Sequence, residues 1–261
     1  MKRLSTILKP LIPILAAAYG LMLIYLTALP LADRNPSLGA EALTWLLTVV
    51  AIAITYFLIQ RIQPKLFPEA KQFSMKSPAF SIVAGLILIA PLWNLVEAYA
   101  VYGLTSLIAT VHTEPISSTP DELREDLIAG VHAVLLAPLL EELCFRQLAI
   151  SPFRRRRNQI IVCILMALLF GILHVRNFPG AFLSAILYGF LFIQTRNIWY
   201  PVILHAGHNL AATLLALYCF FDIGQIQMSK SPVIILPDTI VTIASVTLAL
   251  IGFVILKSKQ S

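Results

Sequence analysis

Charged side chains are scarce in this sequence. Asp, Glu, Lys and Arg make up 12% of its 261 residues, where a soluble globular domain carries roughly 25%. So few charges do not cover a water-facing surface, and a mean hydropathy of +0.85 makes lipid the expected solvent of the fold. Cysteine is scarce as well. Cys144, Cys163 and Cys219 are odd in number, lie inside apolar runs and lack metal-type spacing, which argues against a disulfide framework. They read as packed or lipid-facing small hydrophobes. The zinc-protease pattern His-Glu-x-x-His is missing, and so are internal repeats and low-complexity segments. The inverted repeat found in many transporters is not found either.

What the chain has is long apolar runs. A hydrocarbon core of about 30 Å takes roughly 20 apolar residues per helix. Eight stretches meet or approach that length, at about 10–31, 42–60, 79–103, 127–150, 158–175, 180–195, 198–221 and 236–256. The sixth is short, so seven spans with one re-entrant or tilted element is the alternative. The first run follows a basic start and contains Ala16-Ala17-Ala18, as a signal peptide would, but it continues through Leu31, too far for a cleaved segment. The expected fold is therefore all-α, a polytopic membrane helix bundle of about eight transmembrane helices forming a single domain over 1–261.

The net charge of +6 does not point to nucleic acid. The basic residues form short clusters beside apolar runs: Lys2/Arg3/Lys9, Arg61/Lys65/Lys71/Lys76, Arg154 to Arg157 and Lys257/Lys259. This is how cytoplasmic loops of membrane proteins are built. With both termini inside, the loops at 61–78, 151–157 and 196–197 are cytoplasmic. The loops at 32–41, 104–126, 176–179 and 222–235 then face the other way. The 104–126 loop is acidic and holds Ser117-Ser118-Thr119-Pro120-Asp121-Glu122, which reads as a helix start with Pro in the first turn and carboxylates at the positive end of the dipole.

Against this apolar background a few residues stand out. A charge inside a membrane helix costs several kcal/mol on the order of insertion scales, so such residues tend to be paired and functional. The fourth span holds Glu141, Glu142 and Arg146. Successive residues lie about 100° apart around a helix, so the two glutamates point differently. Glu142 and Arg146, spaced i,i+4, can pair, which leaves Glu141 to face something else. A buried ion pair with a second Glu reaching towards the cytoplasm is the bland alternative. The fifth span ends on Phe170 and His174, and the seventh holds His205, Gly207, His208 and Asn209. His205 and Asn209 share a face, and Gly207 lets another helix approach. Carboxylate, two imidazoles and an amide make a set for hydrolysis: a base for water, a partner to orient it, and donors for an oxyanion. Asn94 and Glu97, spaced i,i+3 in the third span, are expected to hydrogen-bond between helices, and His132 to lie at the interface.

Glu-Glu-x-x-x-Arg, Phe-x-x-x-His and His-x-x-x-Asn on successive membrane helices resemble the signature of the CAAX prenyl protease and bacteriocin-processing (CPBP, or Abi) family. The matching residues are Glu141, Glu142 and Arg146, then Phe170 and His174, then His205 and Asn209. The resemblance covers about 125–215, a protease-like motif core within the single membrane domain. It implies an intramembrane endopeptidase in which Glu141 and His174 activate water and His205 and Asn209 hold the oxyanion. Glu142 and Arg146 are then support, and His208 matches no motif position. The resemblance leaves a metal open. Two histidines with one or two glutamates are a zinc-type set, whereas Asn209, a poor zinc ligand and a good donor, favours a metal-free, glutamate-activated water.

The implied substrate is a peptide or protein in or at the bilayer, lipid-modified or leader-bearing, and the implied location is a bacterial plasma membrane. The alternatives are a non-hydrolytic bacteriocin-immunity or peptide-binding membrane protein, and a small transporter relaying protons through Glu97, Glu141 and the histidines. One point of depth needs resolving. Counted from Arg157, His174 lies about 24 Å into its helix, and Glu141 only about 13 Å from residue 150. A basic stretch at 153–160 running along the interface would bring them level.

Overall fold

The structure, a computed structural model, describes residues 12, 19, 38–68, 74–107, 114–115, 120–174, 177–220, 227–230, 233–236 and 239–258. Most of the expected first span, 10–31, lies outside these residues. The rest is a helix bundle as expected. Among the described residues six helical stretches are long and apolar enough to cross a membrane: Gly39–Leu66, Phe80–Ser106, Leu127–Leu148, Arg156–Leu173, Phe178–Thr195 and Thr239–Lys257. The chain is thus a multi-pass membrane protein. The sixth run, short by sequence, is a regular helix of 18 residues, long enough to be counted among the spans.

Helix α1 (Leu38–Phe57) passes through a π-helical turn (Leu58–Ile62) into the short α2 (Gln63–Leu66). Its buried threonines Thr44, Thr48 and Thr55 donate to the carbonyls of Ala40, Thr44 and Ala51, so each hydroxyl is satisfied within its own helix, as lipid requires. Helix α3 (Phe80–Ser106) follows. The fourth span is broken into α4 (Pro120–Leu135), α5 (Ala137–Glu142) and a π-helix (Leu143–Leu148). Pro120 opens α4, as the sequence predicts. Helices α6 (Arg156–Leu173), α7 (Phe178–Thr195), α8 (Trp199–Phe220) and α9 (Thr239–Lys257) complete the bundle. Leu46, Ile54 and Phe57 of α1 and Ile243, Leu250 and Val254 of α9 stay exposed, the expected condition of a lipid-facing surface.

The core forms where the fourth span meets α6 and α7, around Leu140, Leu143, Phe145, Phe170, Ala185 and Phe192. On the other flank α8 and α9 pack on α3. A Cβ on Gly207 would come within 2.9 Å of Ala90 Cβ, and one on Gly252 within 2.8 Å of the Gly85 carbonyl. Gly207 thus permits the close helix approach expected of it.

Loops assort by side as expected. Ser74 bridges to Asn197, Trp199 Nε1 donates to the Met75 carbonyl, and Gln63 Nε2 donates to Ser151 Oγ at 3.1 Å. These contacts unite the 61–78, 151–157 and 196–197 loops. At the opposite end a small antiparallel sheet, in the order β1-β2-β3, joins β1 (Glu114–Pro115), β2 (Gln227–Lys230) and β3 (Val233–Leu236), uniting the 104–126 and 222–235 loops.

Of the 153–160 stretch, residues 154–158 are exposed, and the part from Arg156 onward already belongs to α6. The turn before it is buried: Ala149, Ile150 and Ser151 are at most 4% exposed. Gln63 from α2 donates to the carbonyls of Gln147 and Leu148 and Gln159 donates to that of Phe153, which lets polar backbone sit inside the protein. The fourth span ends within the bundle, so residue 150 is no marker of the membrane surface. The apparent mismatch of depth disappears with that marker, and Phe170 lies edge-on to Phe145 at 5.5 Å.

Candidate functional site

The break in the fourth span builds the site. Leu136, at φ −110°, distorts the helix while keeping its bonds to His132 and Leu140, and Pro138, in the first turn of α5, has no N–H to give the preceding turn. Glu141 and Glu142 end α5, and the π-helix that follows carries Arg146. Single π-turns are uncommon and occur often at functional sites. Glu142 and Arg146 are 0% and 2% exposed, and Arg146 Nε lies 3.0 Å from Glu142 Oε2. This is an ion pair without an aligned hydrogen bond, since neither Glu142 Oε2 nor Arg146 Nη1 has a hydrogen-bond partner. Arg146 Nη2 donates to the Ala185 carbonyl at 3.2 Å. The guanidinium also lies 5.4 Å from the Phe170 ring and 5.8 Å from that of Tyr188.

His205, in the second turn of α8, enters between the two glutamates. Its Nδ1 is 3.1 Å from Glu142 Oε1, and its Nε2 is 3.7 Å from Glu141 Oε2. Glu141 thus stays clear of the Glu142–Arg146 pair, as expected, and what it faces is His205, which Glu142 also meets. The two carboxylates do diverge around the helix, but an imidazole is wide enough to be met by one on each side. The Nδ1 contact is a hydrogen bond. The Nε2 separation is too long for one.

His174 caps the C-terminal end of α6 with non-helical dihedrals. Its Nδ1 is 2.8 Å from the Phe170 carbonyl, which only accepts, so Nδ1 carries the proton and Nε2 is left as an acceptor. Its ring stacks on Phe170 at 4.3 Å, and Phe170 meets His205 edge-on at 6.0 Å. His174 therefore approaches the glutamates across the Phe170 ring, with no direct ion pair to Glu141 among the described contacts. Asn209 gives one N–H to the Ala133 carbonyl at 2.7 Å, next to the helix break, and keeps its second N–H. All six expected residues thus gather around one break, although His174 reaches it through an intermediary.

A second polar cluster adjoins the first, and sequence reasoning did not assemble it. Glu97 of α3 accepts from Ser184 Oγ and, at 3.3 Å, from Asn177 Nδ2, and lies 3.6 Å from His208 Nε2. Tyr188 Oη is 2.7 Å from His208 Nδ1, and the Tyr188 ring stacks on His205 at 4.7 Å. Asn94 Nδ2 donates to the His208 carbonyl. Asn94 and Glu97 thus bond to other helices, as expected, and not to each other. A cavity of about 440 Å³ opens beside this cluster, bounded by Asn94, Glu97, Asn177, His208 and Asn209 and by apolar residues of α3, α8 and α9. The signal for the cluster was present as polar residues at 97, 184, 188 and 208 in apolar helices; their partnership was not. His132 is half-buried, with Nε2 2.9 Å from Thr48 Oγ1.

Among the described residues no three His, Cys, Asp or Glu groups converge to hold an ion. The Nδ1 contacts of His205 and His174 leave Nε2 of each ring as the open nitrogen, an arrangement that metal-binding histidines also show. Cys144 and Cys163 are buried and unpaired with one another, small apolar groups as expected; the side chain of Cys219 lies outside the described residues.

Residues 124–211 match the model of the Rce1-like family, described as type II CAAX prenyl endopeptidase Rce1-like, in agreement with the family that the three motifs resemble. The match spans the break, both glutamates and both motif histidines. No curated protein matches the chain, and no solved structure does.

Proposed function

We propose, from that family match, that the protein is an intramembrane endopeptidase acting on a membrane-associated protein or peptide, CAAX protease-like in its chemistry. The observation that carries the reading is the pair of carboxylates set on opposite nitrogens of His205 inside an apolar bundle. Merely holding helices together is already done by Glu142 on His205 and Arg146 on the Ala185 carbonyl. Glu141, half-buried and free of Arg146, is the group left for chemistry.

In this reading Glu141 takes a proton from water, and His174, with Nε2 open as an acceptor, orients that water. The hydroxide oxygen bonds to the scissile carbonyl carbon, and the oxyanion is held by the remaining N–H of Asn209 and by His205 when Nε2 is protonated. Glu141 returns its proton to the leaving nitrogen as the C–N bond breaks, giving a carboxylic acid and an amine. Glu142 fixes the His205 ring through Nδ1, and Arg146 fixes Glu142. No step calls on a metal.

The test is cleavage of a panel of lipid-modified and hydrophobic peptides by detergent-purified protein. Wild type cuts and Glu141→Ala loses at least about a hundredfold in rate, a size usual for removal of a general base. A folded wild type that binds a peptide and leaves it whole moves the function to the binding or immunity class. The cell-membrane location and the cytoplasmic placement of both termini belong to the same proposal.

A further inference from the structure

We propose that Glu97 and His208 are positioning residues for His205, acting through Tyr188; only the activity arm of the test rests on the endopeptidase reading. His208 belongs to none of the three motifs, and Glu97 lies on a helix outside residues 124–211. Glu97 is nonetheless buried and His208 half-buried, the two face each other at 3.6 Å, and His208 reaches the glutamate-flanked imidazole through a single side chain.

The direction of the chain follows from what each atom is able to do. Glu97 seats its carboxylate at the first turn of α7, where Asn177, Gly180 and Ser184 surround it. A Cβ on Gly180 would collide with Glu97 Oε1, so the lack of a side chain at 180 is what admits the carboxylate. The unpaired N–H groups of a helix start favour an anion there. With Ser184 and Asn177 donating to it, Glu97 faces His208 Nε2 across 3.6 Å, beyond hydrogen-bond length but close enough for its charge to favour the ring proton on that nitrogen. Nδ1 of His208 is then a lone pair and accepts from Tyr188 Oη at 2.7 Å. The Tyr188 hydroxyl is thereby fixed in direction, and with it the ring plane.

That plane is the one on which His205 rests. Tyr188 has no exposed surface, and its ring lies 22° from the plane of His205. Phe170 meets His205 from another direction with its edge, at 74°. Glu142 sets the rotation of His205 within its plane, and Tyr188 sets the plane itself. The Nε2 to Glu141 separation of 3.7 Å therefore depends on Tyr188, and Tyr188 depends on Glu97 through His208. Small displacements of a catalytic group cost large factors in rate, so a bond four groups away has a kinetic reading.

A structural role alone, tying α3 to α7, gives different results. The full chain in detergent, with a peptide that the wild type cuts, is assayed as wild type, Tyr188→Phe, Glu97→Gln and the double variant. Each single variant lowers kcat about tenfold and leaves KM within about twofold. The double variant is no more than about twofold slower than the slower single one, because both remove the same bond chain. Unchanged kcat with a lower thermal midpoint, or losses that multiply in the double variant, overturns the proposal. Imidazole NMR of ¹⁵N-histidine-labelled protein, assigned with His205→Gln, reads the chain without catalysis. The His205 ring resonances shift in both Tyr188→Phe and Glu97→Gln. If they shift while the wild type cuts nothing, the positioning stands and the endopeptidase reading falls; if they stay, the positioning falls whatever is cut.

Discussion

At the residue scale, Glu142 and Arg146 are the most demanding pair. A buried ion pair contributes little net stability, but removing one partner leaves a charge in an apolar interior, at about 3–5 kcal/mol. Arg146→Ala therefore lowers the thermal midpoint of the detergent-solubilised protein by roughly 10 °C, at 2–4 °C per kcal/mol for chains of this size. The double variant Glu142→Leu/Arg146→Met recovers most of the loss, as thermal unfolding followed by circular dichroism would show; no recovery would mean that the pair does more than neutralise itself. This pair was legible in the sequence because i,i+4 spacing on one helix fixes it in three dimensions. The position of Glu141 was not. Helical geometry gives the angle between adjacent side chains and says nothing of a third residue, 64 positions on, broad enough to touch both.

At the scale of elements, length and hydropathy gave every long described helix, and Pro120 gave the start of α4, because a membrane-crossing run needs a set number of apolar residues whatever surrounds it; the short α2 fell in a stretch that reads as a loop. The breaks were not legible. The π-helix at Leu143–Leu148 and the buried turn after it arise from packing, with Gln63 of another helix satisfying their carbonyls. Which helices touch was hidden for the same reason, except where a small residue marks the crossing. Gly207 is such a mark: it sits against Ala90 at a distance a methyl group cannot share. Gly207→Ala is expected to lower stability by about 1–3 kcal/mol, the usual penalty of overpacking. Adding Ala90→Gly restores room, and a return of the thermal midpoint towards wild type identifies the α3–α8 crossing as the cause. A double variant no more stable than Gly207→Ala would place the strain elsewhere, against Ile87.

At the scale of the whole molecule, the two ends differ in kind. One gathers the basic loops, with exposed Arg154 to Arg157, and the other gathers the acidic loop and the small sheet. Short basic loops stay on the side of synthesis, so a reporter fused after residue 261 is expected to be active in the cytoplasm, and one inserted in the 222–235 loop is expected to be active on the far side. The opposite pattern would reverse the proposed orientation without altering which loops share an end.

The wall that α9 lends to the cavity has a consequence in time. Val241, Ala244, Ser245 and Leu248 close the space that Glu97 and His208 look into, and α9 reaches its place on α3 by the crossing at Gly85 and Gly252. A chain emerges from its N-terminus onward, so both motif histidines and the ion pair are in the bilayer while that side is still open to lipid tails. The strands at 227–230 and 233–236 follow, pairing with a segment made more than a hundred residues earlier, and α9 comes last. The nascent protein thus holds its reactive groups before it holds the chamber beside them, and α9 is what gives that chamber its last wall.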